Sequence, residues 1–391
     1  MARFNHTLPS RIIIGDGVST TVGSEAKKMG ITRVLVVSDK GVESVGVLGP
    51  ICESLEKVGL KVEKFLGVLP NPTADQVRAA EQIYKSAGCD GVVAVGGGSV
   101  MDVAKSVRIM AKHPGDIMDY ELGKGGLAKI TADQPPLICL ATTSGTGSEV
   151  SVGAIITDDK THVKKTIVSP FVVPTLALDD PKLTHGLPPF QTASTGMDAL
   201  THAIEAYVSK MDSPFGGALA LEAIQLIGKS LVTAVKEPTN ARARHDMMYA
   251  SMIAGIAFSQ NNLGAVHALA HQLSTEFGFA HGFANALMLV PVMKYNLESA
   301  PAKYAQIAIA LGADRKKSDA ELAKESVDLV ERLRIATGLP GLIREGKGAR
   351  ATDLKRLASQ AMMDVCHVSN PRPCSPAVME QLFAEAGADA A

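Results

Sequence analysis

Four side chains with metal-binding chemistry lie in the C-terminal half of the sequence: Asp198, His202, His267 and His281. Asp198 and His202 are four residues apart in a run of good helix formers, so a helix presents both from one face. His267 and His271 repeat this spacing, and His281 follows where a second helix is expected to start. Each imidazole alone is explained as an ordinary core or surface histidine. Together the four side chains predict a metal site.

One carboxylate and three imidazoles form a mixed oxygen and nitrogen donor set that suits Fe²⁺ or Zn²⁺. Calcium and magnesium prefer more oxygen ligands, and structural zinc more often recruits thiolates. The donor set does not choose between iron and zinc. A divalent ion with one anionic ligand keeps a net positive charge, so it can act as a Lewis acid on the oxygen of a substrate.

The composition permits a metalloenzyme and excludes several other classes. The chain has 391 residues, 46% of them hydrophobic, and a formal charge of -1, which gives no reason to expect a nucleic-acid or anionic-membrane surface. Five cysteines without CxxC spacing indicate a reducing compartment. The N-terminus lacks a signal-peptide core, and the longest apolar run, 283–293, is too short to cross a bilayer. We therefore expect a soluble, cytoplasmic protein.

Short β-branched runs alternate with helical segments before about residue 185. This alternation predicts an α/β half with a doubly wound, mostly parallel sheet. The expected strands are 11–14, 34–37, 62–66, 91–95, 136–140, 154–157 and 175–178. After the Gly186–Pro189 stretch the strand pattern ends and helical segments continue. We therefore predict an NAD-binding α/β domain, 1–185, and an all-α metal-binding catalytic domain, 186–391.

A glycine turn joins an expected strand to an expected helix at Gly96-Gly97-Gly98-Ser99. Such a junction offers backbone amides and a helix dipole to a phosphate, although a simple tight turn is the alternative. The hydroxyl- and glycine-rich loop 142–148 follows another strand, at the end where open α/β sheets bind ligands. Asp39 ends a third strand, where it can bind a ribose and disfavour NADP; a solvated turn aspartate explains it equally well.

These motifs resemble those of the iron-dependent (group III) alcohol dehydrogenase family. The resemblance runs from about Arg11 to the Asn370-Pro371-Arg372 tripeptide. It is carried by Gly96–Asp102, Thr142–Val150, Thr195–Tyr207 and the His267–His281 block. The resemblance implies a dehydroquinate synthase-like architecture with the active site in a cleft between two domains, and a homodimer or larger homo-oligomer. It also favours iron, because zinc-dependent glycerol dehydrogenase relatives use three ligands.

The resemblance also assigns roles to individual residues. The metal ligands it implies are Asp198, His202, His267 and His281. His271 matches a position beside the nicotinamide and substrate, where it is expected to relay a proton, with the ribose hydroxyl as the alternative route. The cofactor-binding residues are Asp39, Gly97, Gly98, Ser99, Asp102, Thr142, Thr143, Ser144, Thr146 and Lys164, with Lys165 as the alternative lysine. The substrate pocket is lined by Asn71, Phe258 and Cys366.

The resulting hypothesis is an NAD- and Fe²⁺-dependent dehydrogenase, with Zn²⁺ as the alternative metal. It exchanges hydride between nicotinamide and a small primary alcohol, diol or the corresponding aldehyde. Two other classes stay open at this stage. One is a dehydroquinate-synthase-like lyase, which needs a denser lining of Lys, Arg and Asn. The other is a non-catalytic sensor of NAD and metal.

Overall fold

Six parallel strands form one sheet in the computed structural model, which describes residues 10–341 and 351–387. The sheet has the strand order β1-β8-β5-β4-β2-β3. The strands, with two more outside this sheet, are β1 (Arg11–Ile14), β2 (Arg33–Val37), β3 (Lys61–Phe65), β4 (Gly91–Gly96), β5 (Leu137–Ala141), β6 (Gly153–Thr157), β7 (Lys164–Val168) and β8 (Leu176–Asp179). The predicted parallel α/β architecture is therefore confirmed.

One expectation about the strands was wrong. The run 154–157 belongs to β6, which pairs with β7 in a separate antiparallel sheet instead of joining the parallel one. Strand β7 was not predicted, because Lys164 and Lys165 at its start hide the short apolar end of the strand. Only Ile167 of β7 is buried and its other four residues are partly exposed, so the strand lacks the continuous apolar run of a central strand.

The chain forms two compact units. The described residues up to Thr143, with Gly147–Leu187, make the α/β unit, and the described residues from Pro188 onward, with Ser144–Thr146, make the helical unit. The main change of unit follows Leu187, two residues beyond the boundary expected from the sequence. The assignment of NAD binding to one domain and metal binding to the other stays a prediction.

The α/β unit contains six α-helices within the described ranges. They are α1 (Val22–Lys28), α2 (Lys40–Ser44), α3 (Leu48–Lys57), α4 (Ala74–Ala87), α5 (Gly98–Met110) and α6 (Gly126–Lys129). Alternate residues of β2 and β4, such as Val34, Val36 and Val93, pack with Ile51 and Leu55 of α3. Helices α4 and α5 also contact the central strands. Every residue of β4 is buried, which explains its continuously apolar sequence.

The helical unit contains nine α-helices within the described ranges. They are α7 (Pro189–Val208), α8 (Pro214–Lys236), α9 (Ala241–Asn261), α10 (Ala265–Phe277), α11 (His281–Asn296), α12 (Pro301–Ala310), α13 (Asp319–Ala336), α14 (Leu354–Ala361) and α15 (Pro376–Glu385). No strand occurs among the residues described after 188, as expected for an all-α region.

Two glycines let helices approach α7 closely. A Cβ on Gly196 would lie 2.2 Å from Leu231 Cδ1 of α8, and a Cβ on Gly282 would lie 2.2 Å from the Ser194 carbonyl oxygen. Helix α11 can therefore pack with its first turn directly against α7. This contact brings His281 near Asp198 and so determines part of the site described below.

Helix α8 is 23 residues long and apolar enough to cross a bilayer by length and composition alone. The sequence did not suggest α8 as a candidate membrane span, because Glu222, Lys229 and three glycines interrupt its apolar residues. In the structure α8 packs against α7 and α9 within the helical unit. A single helix of this kind is weak evidence for a membrane span, since the internal helix of a packed domain has the same composition.

Candidate active site

Helix α7 presents a row of buried polar side chains. Asp198, His202 and Glu205 are spaced four and three residues apart, so they share one side of the helix. Their exposed fractions are 1%, 4% and 4%. Charged and polar groups at this depth need partners or an ion, because leaving them unpaired in an apolar interior is costly. The partners come from α10 and α11.

The four predicted metal-binding side chains converge on one point. The Nε2 atoms of His202, His267 and His281 lie 3.8, 3.9 and 3.6 Å from Asp198 Oδ1. One ligand atom from each of the four residues lies within 4.8 Å of the others. His267 comes from α10 and His281 from the first residue of α11.

This arrangement fits a transition-metal ion. Four ligands about 2.1 Å from an ion are about 3.4 Å from one another, which is close to the distances from Asp198 Oδ1. These distances are also too long for direct hydrogen bonds between Asp198 and the imidazoles. The cluster therefore consists of converging lone pairs that do not satisfy each other, and a cation satisfies such a group.

Hydrogen bonds orient two of the imidazoles toward the shared point. His267 Nδ1 lies 2.5 Å from Glu205 Oε2, and the other oxygen of Glu205 accepts a hydrogen bond from the Val266 amide at 2.7 Å. His202 Nδ1 donates to the Gly145 carbonyl at 3.1 Å. Because each Nδ1 carries the proton, each Nε2 keeps the lone pair that a metal ligand requires.

Electrostatics distinguish these two histidines. Burial lowers the pKa of His202 to about 4, which keeps its imidazole neutral. Burial also opposes protonation of His267, but the charge and hydrogen bond of Glu205 raise its pKa overall. Glu205 therefore holds the proton on His267 Nδ1 and makes Nε2 a stronger electron donor.

A second cluster surrounds His271, one turn after His267. His271 Nδ1 lies 2.6 Å from Asp364 Oδ2, and the other oxygen of Asp364 accepts the Cys366 amide at 2.9 Å. The His271 ring stacks on His281 with centroids 5.2 Å apart. Phe258, expected in the substrate pocket, lies against His202 with ring centroids 4.7 Å apart. Phe258, His271 and Cys366 are thus all close to the predicted metal ligands.

Three residues of these clusters were not found in the sequence: Glu205, Asn285 and Asp364. Two of them carried a usable signal, because Glu205 lies three residues after His202 and Asn285 lies four residues after His281 on their helices. Asn285 places its amide beside three of the four predicted ligands. Asp364 is 93 residues from His271, so no local spacing relates the two.

The glycine turn at the end of β4 has the form expected for phosphate binding. Gly97 is the N-cap of the 13-residue helix α5, and Gly98 and Ser99 form its first turn. All three residues are partly exposed. A Cβ on Gly97 would lie 3.3 Å from the Thr143 side chain, so glycine allows the two loops to approach each other closely.

The loop after β5 divides between the two units. Thr142 and Thr143 belong to the α/β unit, where the Thr142 amide donates to the Gly96 carbonyl at 3.1 Å. Ser144 and Thr146 are counted with the helical unit. The buried Ser144 hydroxyl has no hydrogen-bond partner among the described residues, so it is suited to binding a ligand.

Asp102 has protein partners already. Its carboxylate accepts hydrogen bonds from the Ser148 hydroxyl and the Ile155 amide, both at 3.1 Å. Burial raises its pKa, and Lys105 and Lys164 oppose this effect. These contacts support a role in fixing loop 142–148 and β6, in addition to the predicted cofactor contact.

The structure distinguishes the two adjacent lysines of β7. Lys165 Nζ forms an ion pair with Glu121 at 3.0 Å. Lys164 is close enough to Asp102 for its charge to oppose the rise that burial causes in the pKa of that carboxyl group. Neighbouring residues of a strand point to opposite faces, so only one of the two can face loop 142–148. Which of the two lysines contacts the cofactor stays a prediction, with Lys164 as the first choice from the sequence.

Asp39 and Asn71 occupy backbone positions with clear structural roles. Asp39 is the N-cap of α2, and its Oδ1 accepts the Val42 amide at 2.9 Å. A turn role for Asp39 is thus real, and it leaves the second carboxylate oxygen for other contacts. Asn71 has a positive φ of 57°, a conformation that asparagine tolerates better than most residues. The place of Asn71 in the substrate pocket stays a prediction.

Comparisons with known proteins agree with this geometry. Residues 9–181 match the family described as "Iron-containing alcohol dehydrogenase", and residues 192–387 match the family described as "Fe-containing alcohol dehydrogenase family, C-terminal". The 1,3-propanediol dehydrogenase of Citrobacter freundii is 38% identical over 386 residues, covering 98% of each chain. The NAD-dependent methanol dehydrogenase of Bacillus methanolicus is 34% identical over 383 residues, covering 98% of this chain and 99% of the relative.

A solved structure of 1,3-propanediol oxidoreductase superimposes with a TM-score of 0.95 at 37% identity, covering 98% of this chain and all of the other. The fold and the site thus define the class of protein as a metal-dependent oxidoreductase. The chain belongs to the iron-containing alcohol dehydrogenase family. It is an alcohol dehydrogenase, and its family membership implies the use of a metal ion and a nicotinamide dinucleotide.

Proposed function

We propose that this alcohol dehydrogenase oxidises small primary alcohols or diols with NAD and reduces the corresponding aldehydes, using Fe²⁺ held by Asp198, His202, His267 and His281. The observation that carries the proposal is the convergence of these four ligand atoms without direct hydrogen bonds among them. Zn²⁺ fits the same donors, and the choice of iron rests on the family. Membership of this family also favours a dehydrogenase over a lyase or a sensor.

Each part of the chain contributes a separate function to the reaction. A bound divalent ion supplies Lewis acidity, which lowers the pKa of a substrate hydroxyl, and nicotinamide accepts the hydride. Glu205 and Gly145 keep the donor atoms of His267 and His202 oriented. His271 takes up the proton released from the substrate hydroxyl at Nε2, because its Nδ1 is held by Asp364.

The cofactor site is proposed at the carboxyl ends of β4 and β5. The α5 N-terminus with Gly97, Gly98 and Ser99 binds the pyrophosphate. Thr142, Thr143, Ser144 and Thr146 contact the remainder of the cofactor, with Asp102 and Lys164 supporting the nicotinamide side. The free oxygen of Asp39 accepts a ribose hydroxyl and repels a 2′-phosphate, so we expect NAD to be preferred to NADP.

Two variants of Asp39 separate the effect of its charge from its role as the N-cap of α2. Asp39→Gly removes both, whereas Asp39→Asn removes the charge and keeps a side-chain oxygen for the cap of α2. Both variants should raise the ratio of kcat/KM with NADP to kcat/KM with NAD by about tenfold. This corresponds to removing about 1.4 kcal/mol of repulsion between the Asp39 carboxylate and the 2′-phosphate. Unchanged cofactor discrimination in both variants would argue against this role.

The substrate is proposed to be small, in keeping with the relatives named for 1,3-propanediol and methanol. Phe258 and Cys366, close to the metal ligands, line the substrate pocket in this proposal, together with Asn71. His367 follows Cys366 directly, and its Nδ1 lies 2.5 Å from the Asp364 carbonyl oxygen. We also propose a cytoplasmic homodimer or larger homo-oligomer, which light scattering of the purified protein would test.

The central experiment is metal exchange. The protein is stripped with a chelator, refilled with Fe²⁺ or Zn²⁺, and screened by NADH absorbance with about fifty alcohols and aldehydes. Activity should disappear on stripping and return most strongly with Fe²⁺. Alcohol-dependent NADH formation that survives complete metal removal would refute the proposed function. Equal recovery with Zn²⁺ would leave the site intact and remove iron from the proposal.

A further inference from the structure

Asn285 is a buried amide beside the proposed metal ligands, and neither the motifs nor the family resemblance gave it a role. It lies on α11, one helical turn after His281, and its exposed fraction is 0%. An asparagine side chain in such a position must find hydrogen-bond partners, because burying an unpaired amide is costly. Its partners are the ligands themselves.

The Asn285 amide nitrogen contacts three of the four proposed ligands. Nδ2 lies 2.6 Å from Asp198 Oδ1, 3.1 Å from His267 Nε2 and 3.2 Å from His281 Nε2. These are the atoms that would bind an ion.

The chemistry of the neighbours requires the nitrogen, not the oxygen, to point toward the ligands. The Asp198 carboxylate is an acceptor, and His267 Nε2 is an acceptor because Nδ1 of that ring donates to Glu205. A rotated amide would bring its oxygen against these lone pairs and lose both hydrogen bonds. Asn285 Oδ1 meanwhile has no hydrogen-bond partner among the described residues. In this orientation the Asn285 oxygen has no hydrogen-bond partner in the described part of the chain, while the N–H groups of the amide point to the ligands.

We propose that Asn285 is a positioning residue of the metal centre: its amide donates to the Asp198 carboxylate, which can accept this hydrogen bond and still bind an ion, and before the ion binds it holds the Nε2 atoms of His267 and His281 beside that carboxylate. This inference rests on the proposed metal site. Outer partners of metal ligands usually contribute to affinity through such orientation, and removing one typically costs about 10–100-fold. Asn285 is expected to act on metal affinity, and only through it on turnover.

Helix α11 offers a matched control. Asn296 is also a buried asparagine of α11, and its amide exchanges hydrogen bonds with Asn370 at 3.0 and 2.8 Å. Neither residue is among the proposed ligands. Asn296→Ala therefore removes a buried asparagine of the same helix without changing the proposed metal centre, and it separates a general loss of stability from a specific loss of metal binding.

The experiment uses the full chain stripped of metal and titrated with Zn²⁺ and Co²⁺ against a competing chromophoric chelator. Asn285→Ala and Asn285→Leu are compared with Asn296→Ala and the unaltered protein. Leucine is close to asparagine in shape, so it fills the space that alanine leaves empty and guards against a folding failure. We expect both Asn285 variants to bind about tenfold more weakly or worse, with a changed Co²⁺ absorption spectrum, and Asn296→Ala to bind normally.

The outcomes separate this inference from the proposed function. If the unaltered protein binds neither ion at the cluster, the metal centre itself fails. If it binds them and a soluble Asn285 variant binds equally well or more tightly, with an unchanged Co²⁺ spectrum, the positioning role of Asn285 is overturned while the metal centre stands. Equal weakening in Asn296→Ala would also overturn the inference, since the effect would then be one of general stability.

Discussion

Helix α10 carries two histidines one turn apart, and their surroundings differ in one decisive respect. His267 belongs to a group of ligand atoms that converge on one point, with 3.9 Å separating its Nε2 from Asp198 Oδ1. His271 belongs to a group that is already paired, with Nδ1 only 2.6 Å from Asp364 Oδ2. Both groups combine imidazole and carboxylate, and both have ligand atoms within 4.8 Å of one another.

The difference shows why clustering alone does not identify a metal site. Around Asp198 the three imidazole acceptors, 3.6 to 3.9 Å away, cannot satisfy the carboxylate or one another, and the Asn285 amide is the neighbour that donates to it, so a cation completes the group. Around Asp364 a donor already meets an acceptor. Burial raises the pKa of Asp364, but the charge and hydrogen bond of His271 bring it below its ordinary value overall. A fixed hydrogen-bonded pair of imidazole and carboxylate suits an orienting or proton-handling role.

The largest effect is expected at the converging cluster. Asp198→Asn keeps the shape of the side chain and removes the only negative charge among the four ligands. We expect metal content after dialysis to fall close to zero, and kcat/KM to fall by about 10³-fold or more, because both Lewis acidity and substrate positioning depend on the ion. Metal analysis and NADH kinetics measure the two losses.

The control for Asp198 is Asp246, a buried aspartate of α9 that forms an ion pair with Arg242 at 2.8 Å and accepts the Ser230 hydroxyl. Asp246→Asn should lower thermal stability and leave the metal content unchanged. An Asp198→Asn protein that retains a full equivalent of metal would remove the distinction between the two clusters.

The next effect is expected at His271 and leaves the metal in place. His271→Gln keeps a polar side chain but cannot take up a proton, so kcat should fall by about 10²–10⁴-fold, the usual contribution of a general acid or base. The metal content should equal that of the unaltered protein. Loss of metal in parallel with activity would place His271 among the ligands and contradict the separation drawn here.

Much of this site was predictable because side chains three or four residues apart lie on the same face of an α-helix. Spacing of four residues identified Asp198 with His202 and gave the correct faces of α7 and α10, and the short apolar runs identified all six strands of the parallel sheet. Glu205 and Asn285 also follow this helix periodicity, and they were overlooked because only the fold shows that they contact the ligand side chains. Which side chains of different helices lie next to one another could be learned only from the fold.

The remainder was not predictable from local pattern. Asp364 and His271 are joined by tertiary packing alone, and the chain between them contains residues 342–350, which lie outside the described part. Strand β7 was hidden by its lysines, and its partner β6 was assigned to the wrong sheet. Short strands that pair only with each other carry little signal, because an antiparallel pair with one exposed side has no continuous apolar run.

A smaller effect is expected at Asp364, and it depends on His271. Asp364→Asn removes the charge that orients the imidazole, so kcat should fall by about 10–100-fold, as for other residues that orient a functional imidazole. In a His271→Gln background the same change should cost little further activity, since its effect acts through the imidazole. Additive losses in the double variant would mean that Asp364 acts on the site by another route.

The smallest effect is expected at Cys366, and it tests the comparison most closely. Burial, followed by the nearby Asp364, raises the pKa of the Cys366 thiol well above its ordinary value, so the sulfur stays protonated and is a poor metal ligand. Cys366→Ser should change kcat/KM by less than about threefold, since a hydroxyl keeps a hydrogen-bond donor beside Asp364. Under excess Zn²⁺ both proteins should bind one equivalent per chain. If the unaltered protein bound two and Cys366→Ser bound one, His271, Asp364 and Cys366 would form a second metal site, and the pairing of His271 with Asp364 would no longer distinguish the two clusters.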